Sequence, residues 1–368
     1  MNADRPTGSR ERLDAAMSRR SALLLALSST SALAQGFGGL GANAPGFAFP
    51  QPGTPLIFPK DHGAHPEFRT EWWYVTANLK GADGASYGVQ WTLFRFALEP
   101  NSARAGWTDR NVWMAHAAAT NAGEHLFGQK FARGGIGQAG VEEEPFRAYI
   151  DDWRLETRDD SSGAGIERLR VSAGNGNFAY ALDLTATGPI VLQGEGGYSR
   201  KSDAGQASYY YSEPFFMAEG SVSIRGRETH VSGRAWMDRE WSSQALAPDQ
   251  QGWDWFALHL DGGVKLMLYR MRSVKATPSL FGNWIDADGA TSPLMRDDIA
   301  IAPLENMLIA DRDTPVRWRV QIKSRGVDVE TRPLNPRSWM ATEPAYWEGP
   351  IFFSGSHKGE GYLEMTGY

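Results

Sequence analysis

Four carboxyls in this chain stand where a strand pattern would carry them out of water, and they are its first candidates for chemistry. Glu71 lies in Arg69-Thr70-Glu71-Trp72-Trp73-Tyr74, Asp238 and Glu240 in Ala235-Trp236-Met237-Asp238-Arg239-Glu240-Trp241, and Asp254 in Trp253-Asp254-Trp255-Phe256-Ala257-Leu258. Side chains alternate between the two faces of a strand. Glu71 therefore shares a face with Trp73, and Trp72 shares the other with Tyr74. Trp236, Asp238 and Glu240 face one way; Met237, Arg239 and Trp241 face the other. Asp254 points with Phe256 and Leu258. A carboxyl on an apolar face is costly unless protonated or paired. Protonated, it is a general acid near neutral pH. The plainer alternative is an Asp held by Trp or backbone N–H groups, or paired with Arg69 or Arg239. The rings of Trp72, Trp73, Tyr74, Trp236, Trp241, Trp253 and Trp255 suit the walls of a pocket for a large apolar ligand, with Arg69 and Arg239 among them.

Other chemistries find no footing. There is no Gly-x-Ser-x-Gly elbow, no His-Glu-x-x-His and no Gly-rich phosphate cradle. His62 and His65 are spaced to share a metal, but two His in a loop make a weak site, and no metal is expected. The chain has no cysteine, so disulfides, thiolate metal sites and Cys nucleophiles are excluded.

The first residues read as an address. Arg19-Arg20 precede the apolar run Ala22–Leu27, and Ser31-Ala32-Leu33-Ala34 resembles a cleavage site, so residues 1–34 are expected to be a signal peptide. The double arginine partly matches a twin-arginine signal, and Met17 is as good a start as Met1. The protein is thus expected in the periplasm or outside the cell. Removing residues 1–34 takes away five Arg and three acids and shifts the formal charge from −6 to −8. With no polybasic run, nucleic acid is not an expected partner. No further apolar stretch reaches the roughly 20 residues of a membrane helix.

The elements that must position these residues are strands. Residues 35–55, rich in Gly, Ala and Pro, read as a flexible linker. Glu71–Leu79, the turn at Gly81–Gly84 and Tyr87–Leu98 form a hairpin. Strands are expected at Val112–Thr120, Phe146–Glu156, Ile166–Val171, Phe178–Ala186, Tyr209–Tyr211, Gly220–Ile224 and His230–Asp238, with a loop over Ala186–Arg200. A second hairpin, Trp253–Leu260 and Val264–Arg272 about Asp261-Gly262-Gly263, echoes the first. Strands follow at Gly282–Ile285, Asp298–Pro303, Val316–Ile322, Val327–Arg332, Tyr346–Gly355 and Gly361–Thr366. Short strands with regular turns indicate an all-β barrel or sandwich. The restart implies two β domains, residues 56–247 and 248–368.

The chain resembles the carotenoid 1,2-hydratase/AttH family of lipocalin-like secreted proteins. The resemblance rests on His65-Pro66-Glu67-Phe68-Arg69-Thr70-Glu71-Trp72-Trp73-Tyr74, Ala235–Trp241, Trp253-Asp254-Trp255-Phe256 with Leu266-Met267-Leu268-Tyr269-Arg270, and Tyr346-Trp347-Glu348-Gly349 with Gly361–Tyr368. It implies two lipocalin-like antiparallel β-barrel domains packed together, an apolar terpenoid- or carotenoid-like ligand, and cofactor-independent hydration of an isolated C=C bond with an Asp as proton donor. Either Asp238 or Asp254 would give the proton, and Glu71 or Glu240 would orient the water. The aromatic rings would steady a carbocation, and Arg69 and Arg239 would hold carboxylates. Relatives commonly have His in place of Arg239. Because other members are encoded with transporter components, the rival expectation is a non-catalytic periplasmic lipid or prenoid carrier working with an ABC-type permease.

Overall fold

The computed structural model describes residues 37–368 apart from 41, 101, 102, 105, 159–164, 203 and 248, so the signal-peptide segment lies outside the described residues. Two antiparallel sheets make up the body. The first contains β1 (Thr70–Gly81), β2 (Ser86–Ala97), β3 (Asn111–Asn121), β4 (His125–Arg133), β5 (Ala139–Glu143), β6 (Phe146–Ile150), β7 (Trp153–Thr157), β8 (Arg168–Gly174), β9 (Phe178–Ala186), the two-residue β10 (Val191–Leu192), β11 (Tyr198–Arg200), β12 (Ala207–Ile224) and β13 (Arg227–Ser242). Its strand order is β4-β3-β2-β1-β13-β12-β9-β8-β7-β6-β5, with β10 and β11 on β12. The second contains β14 (Gln250–Leu260), β15 (Lys265–Ser273), β16 (Ser279–Ile285), β17 (Thr291–Leu294), β18 (Ile299–Ile309), β19 (Arg312–Ile322), β20 (Val327–Pro333), β21 (Trp339–Met340), β22 (Tyr346–Gly355) and β23 (Gly359–Thr366). Its order is β17-β16-β15-β14-β23-β22-β20-β19-β18, with β21 on β22.

Each sheet curls until its edges approach, as the twist of a long sheet requires. In the first, Lys130 of β4 pairs with Asp152 in the β6–β7 turn and lies 5.0 Å above the Trp153 ring. In the second, the Arg325 guanidinium after β19 sits 5.0 Å from the ring of Trp284 on β16. The all-β, lipocalin-like, two-barrel architecture is therefore the observed one.

Barrel interiors are filled rather than hollow. Trp73, Trp91, Trp113, Trp153 and Trp241 pack inside the first, and Phe256, Leu258, Trp318, Trp347 and Met365 inside the second. A buried ring removes a large apolar area from water, at about 25 cal/mol per Å². These indoles carry the cores of a chain without disulfides.

The strands differ in how many of their faces are covered. On β9, residues alternate between buried and open, the pattern of one solvated face. Residues 70–79 of β1 are almost all buried, as are residues 235–242 of β13 and most of β14. Their outer faces are sandwiched between the barrels. Asn78 on β1 donates to the Gly361 carbonyl on β23 at 2.9 Å. Gly88 on β2 meets Pro350 on β22, and a Cβ there would fall 2.5 Å from the proline Cγ.

Several elements differ from the sequence expectation. Phe146–Glu156 is two strands, because Asp151 takes a left-handed conformation (φ 52°) and turns the chain. Tyr209–Tyr211 and Gly220–Ile224 belong to one 18-residue strand, whose register shifts between Glu213 and Phe216. Two short strands interrupt the expected loop at 186–200. The segment read as a linker lies on the first barrel: Ala48 donates to the Glu67 carbonyl, Gln51 N–H donates to the Tyr209 hydroxyl, and Ala44 is buried. Its scattered apolar side chains give it a surface to dock with, which composition alone conceals.

Candidate functional site

The barrels leave a cleft between them. β1, β2, β3 and β13 form one wall, β14, β15 and β23 the other, and Gly38 and Leu40 close one side. It encloses about 700 Å³ of empty space, part of it open to solvent, but only about 60 Å³ has room for the centre of a water-sized group. It is a narrow slot, suited to a flat ring or a single chain. Trp72, Tyr74, Phe94, Trp253, Trp255 and Tyr269 supply most of its surface. The rings meet edge to face, with Tyr74 and Trp255 centroids 5.3 Å apart at 88°.

Asp238 is on this wall, 4% exposed. It pairs in register with Tyr74. The Trp236 indole N–H donates to its Oδ1 at 2.7 Å, Ser212 Oγ lies 2.5 Å from the same oxygen, and the Tyr210 hydroxyl is 2.9 Å from Oδ2. Among the described residues no cation pairs with it. Burial pushes its pKa up to about 7 with help from the charge of Glu240, against the lowering effect of the three hydrogen bonds. At neutral pH much of this carboxyl holds its proton.

Two further acids stand nearby on the second barrel. Glu348 of β22 and Glu364 of β23 are directly opposed cross-strand partners. Like charges in that register repel. Glu364 lines the cleft and accepts from Trp253 Nε1 at 2.5 Å. Burial pushes it up to about 7, with Asp238 and Glu240 adding to the shift. Glu348 accepts from the Tyr74 hydroxyl, and burial together with Glu364 pushes it well above the usual carboxylate range. His116 of β3 also lines the cleft, its Nδ1 3.0 Å from the Tyr346 hydroxyl and its Nε2 2.9 Å from the Gln129 amide. Burial lowers the pKa of this imidazole to about 3, so it is neutral.

Glu240 shares the cleft-side face of β13 but has a counter-ion. Lys201 Nζ lies 2.8 Å from its Oε1, above the rings of Tyr269 (4.4 Å) and Tyr210 (4.8 Å).

The remaining residues singled out from the sequence are placed elsewhere. Glu71 is fully buried inside the first barrel, bonded to Arg95 and Arg239, with the His65 backbone N–H at 3.0 Å. Burial opposes its charge, but the two guanidiniums outweigh burial and hold its pKa well below the ordinary value. Arg239 is stacked 3.8 Å from the Trp73 ring and 4.9 Å from that of Trp241. These four residues form a structural knot in the core and do not line the cleft. Arg69 donates to the Ala42 carbonyl and so fastens the N-terminal strap. Asp254 faces the interior of the second barrel, with Arg270 at 2.7 Å, Arg272 at 3.5 Å and the Tyr368 hydroxyl at 2.8 Å. It belongs to a buried ion-pair network with Arg270 and Arg272, not with the Arg69 or Arg239 of the alternative reading, and burial raises its pKa against the pull of those two guanidiniums. His62 and His65 are not joined at a metal site: His62 bonds Tyr211 at 2.6 Å, and His65 stacks on Trp241 at 4.0 Å between Asp61 and Glu71. The cleft thus keeps Trp72, Tyr74, Trp253, Trp255 and Asp238 from the original set, with Trp236 behind Asp238.

Glu348, Glu364 and His116 were not singled out. The signal for the two acids was present: each is a lone carboxyl in an apolar strand, Tyr346–Phe353 and Gly361–Met365, which is the criterion that picked out Asp238 and Asp254. Nothing in the local sequence of His116, between Ala115 and Ala117, announces its neighbours.

Fold and site together define a two-barrel lipocalin-like protein with an aromatic, carboxyl-bearing cleft between its barrels. The chain belongs to the AttH-like family, whose family model matches residues 49–368. It is similar to a candidate AttH of known structure from Nitrosomonas europaea, at 34% identity and a TM-score of 0.76, over 88% of this chain and all of that one. The fold is shared with kievitone hydratase from Nectria haematococca, at 17% identity and a TM-score of 0.64, over 87% of this chain and 98% of that one. It is also shared with CghA, in a structure with Sch210972, at 13% identity and a TM-score of 0.51, over 88% and 97%. No curated protein matches the sequence.

Proposed function

We propose that this protein is exported, binds a large apolar ligand of terpenoid type in the cleft between its barrels, and hydrates an isolated C=C bond there without a cofactor. The observation that carries the reading is Asp238: a buried carboxyl, free of any cation, on the wall of an aromatic slot. A pKa near the working pH suits a general acid. In the proposed step the Asp238 proton adds to the less substituted alkene carbon, leaving a tertiary carbocation. Tyr74, Trp72 and Trp255 present ring surface to that cation, worth about 0.5–2 kcal/mol per ring. Water adds to the cation and its proton returns to the Asp238 carboxylate, so the product is a tertiary alcohol and the enzyme is regenerated. Glu364, the next carboxyl on the wall, is placed to hold the water. Asp254 is left out of the mechanism because it faces away from the cleft and is paired with two arginines, whose attraction only partly offsets the rise in its pKa that burial causes. Hydration is also the chemistry for which the kievitone hydratase that shares this fold is named.

The test is incubation with an acyclic terpenoid in oxygen-labelled water, followed by mass spectrometry. A hydratase yields a product heavier by one labelled water, and Asp238→Asn does not. Recovery of unchanged ligand from a tight complex would favour a carrier, with an envelope permease as its partner. Export is tested separately by N-terminal sequencing of periplasmic protein, where the mature end is expected at Gln35.

A further inference from the structure

The carboxyls around the cleft outnumber the cations that answer them. The titratable groups that face it or stand directly behind its wall are Asp238, Glu364, Glu348, Glu240, His116 and Lys201. Among the described residues Lys201 alone is a cation there, and it is spent on Glu240. How it is held is instructive: a primary ammonium with a carboxylate at 2.8 Å and two tyrosine faces within 5 Å. Asp238 and Glu364 have the same kind of surroundings. Trp72, Tyr74, Trp255 and Tyr269 line the space beside them, but no ammonium occupies it. A second feature of the wall asks for a ligand. The Thr70 hydroxyl, in a residue only 3% exposed, has no hydrogen-bond partner. Leaving such a group unsatisfied forfeits the hydrogen bonds it would make in water. Thr70 lies four residues along β1 from Tyr74, about 13 Å at the rise of an extended strand.

We propose that the cleft is a binding site for hydrophobic organic ammonium compounds, with the nitrogen beside Asp238 and Glu364 among the rings of Tyr74 and Trp255, the apolar chain running along β1, and a polar group at its far end meeting the Thr70 hydroxyl. The inference rests on the reading that the cleft is the ligand site, but not on turnover. It also gives that reading a reason: a pocket built to welcome a carbocation welcomes a cationic nitrogen of similar shape. Coulomb attraction to a carboxylate in a desolvated site, added to cation–π attraction, favours the ammonium over an uncharged molecule of equal length.

The experiment compares N,N-dimethyloctylamine with 1-octanol, titrated into the full mature chain at pH 7.5 and followed by tryptophan fluorescence and calorimetry. The expected result is an affinity for the amine at least tenfold above that for the alcohol. Asp238→Asn and Glu364→Gln should each lower that ratio several-fold with little change for octanol. Both substitutions are close in shape to the native residue, and making them separately lets one report if the other fails to fold. Equal affinities, or a preference that survives both substitutions, would overturn the inference and leave the ligand-site reading intact. If neither probe binds and Trp72→Ala alters nothing, the cleft is not a ligand site and both ideas fall.

Discussion

Replacing Asp238 by Asn should make the protein more stable, by an amount that grows as pH rises from about 4 to about 7. The gap between a folded value of about 7 and the ordinary 3.8 is worth about 4 kcal/mol of differential proton binding. The sign follows from the direction. With the folded pKa raised, the stabilisation from protonated Asp238 is complete below about 3.8 and is lost as pH rises through about 7. Above that the folded protein carries a buried, unpaired carboxylate that the unfolded chain would leave in water. Asn has no charge to bury. Its Oδ1 can keep the Trp236 N–H, and the hydroxyls of Ser212 and Tyr210 can turn to meet its amide. The substitution should therefore be nearly neutral only near pH 3.5, stabilising by about 1.7 kcal/mol at pH 5 and by up to about 4 kcal/mol at pH 8.5. At about 2–4 °C per kcal/mol for a barrel of this size, that is a rise in Tm of roughly 8–16 °C. The assay is a thermal melt of both proteins at pH 5 and pH 8.5. Glu348 titrates in both proteins, and Glu364, whose raised pKa Asp238 adds to, is coupled to residue 238, so the pH-dependent difference reports Asp238 together with that coupling. A gain of the same size at both pH values, or none at pH 8.5, would show that Asp238 is not held neutral by burial and would remove the physical basis for its role as an acid.

Further predictions concern the core, the cleft and the seam. Glu71→Gln leaves Arg95 and Arg239 buried without their anion and should cost about 3–5 kcal/mol, read as a lower denaturation midpoint. Because the folded pKa of Glu71 is depressed, its contribution is present above its ordinary 4.5 and fades only as pH falls through the lower folded value. The deficit of the variant should accordingly stay constant from pH 8 to about pH 5. Lys201→Met strands Glu240 and should destabilise by a similar amount, seen in the same melts. Gly88→Ala drives a methyl into Pro350, costing about 1–3 kcal/mol and loosening the seam between the barrels, which hydrogen exchange at the Asn78–Gly361 contact would detect. Hydration activity, if assayed against pH, should decline above about 7 as Asp238 loses its proton.

Much of the architecture was legible because strands announce themselves locally. The two hairpins, the alternation that separates Trp72 from Trp73 and Asp238 from Arg239, and the all-β class follow from side-chain period and turn residues, which neighbours along the chain are enough to set. The same alternation correctly put Asp254 with Phe256 and Leu258, but could not say which face of the strand looks into a barrel and which into the cleft. Both faces of β14 are buried, and burial on both sides looks the same in sequence whichever neighbour covers it. The ionisation of each acid depends on residues far away along the chain. Glu71 meets Arg239 across 168 positions, Glu240 meets Lys201 from another strand, and Asp238 meets no cation at all. The sequence by itself determined that there would be two ring-rich β-barrels carrying buried carboxyls. Only the packing of one barrel on the other decided which of those carboxyls lie in a common cleft and which are neutralised in a core, because charge compensation is set by distance in space and not by spacing along the chain.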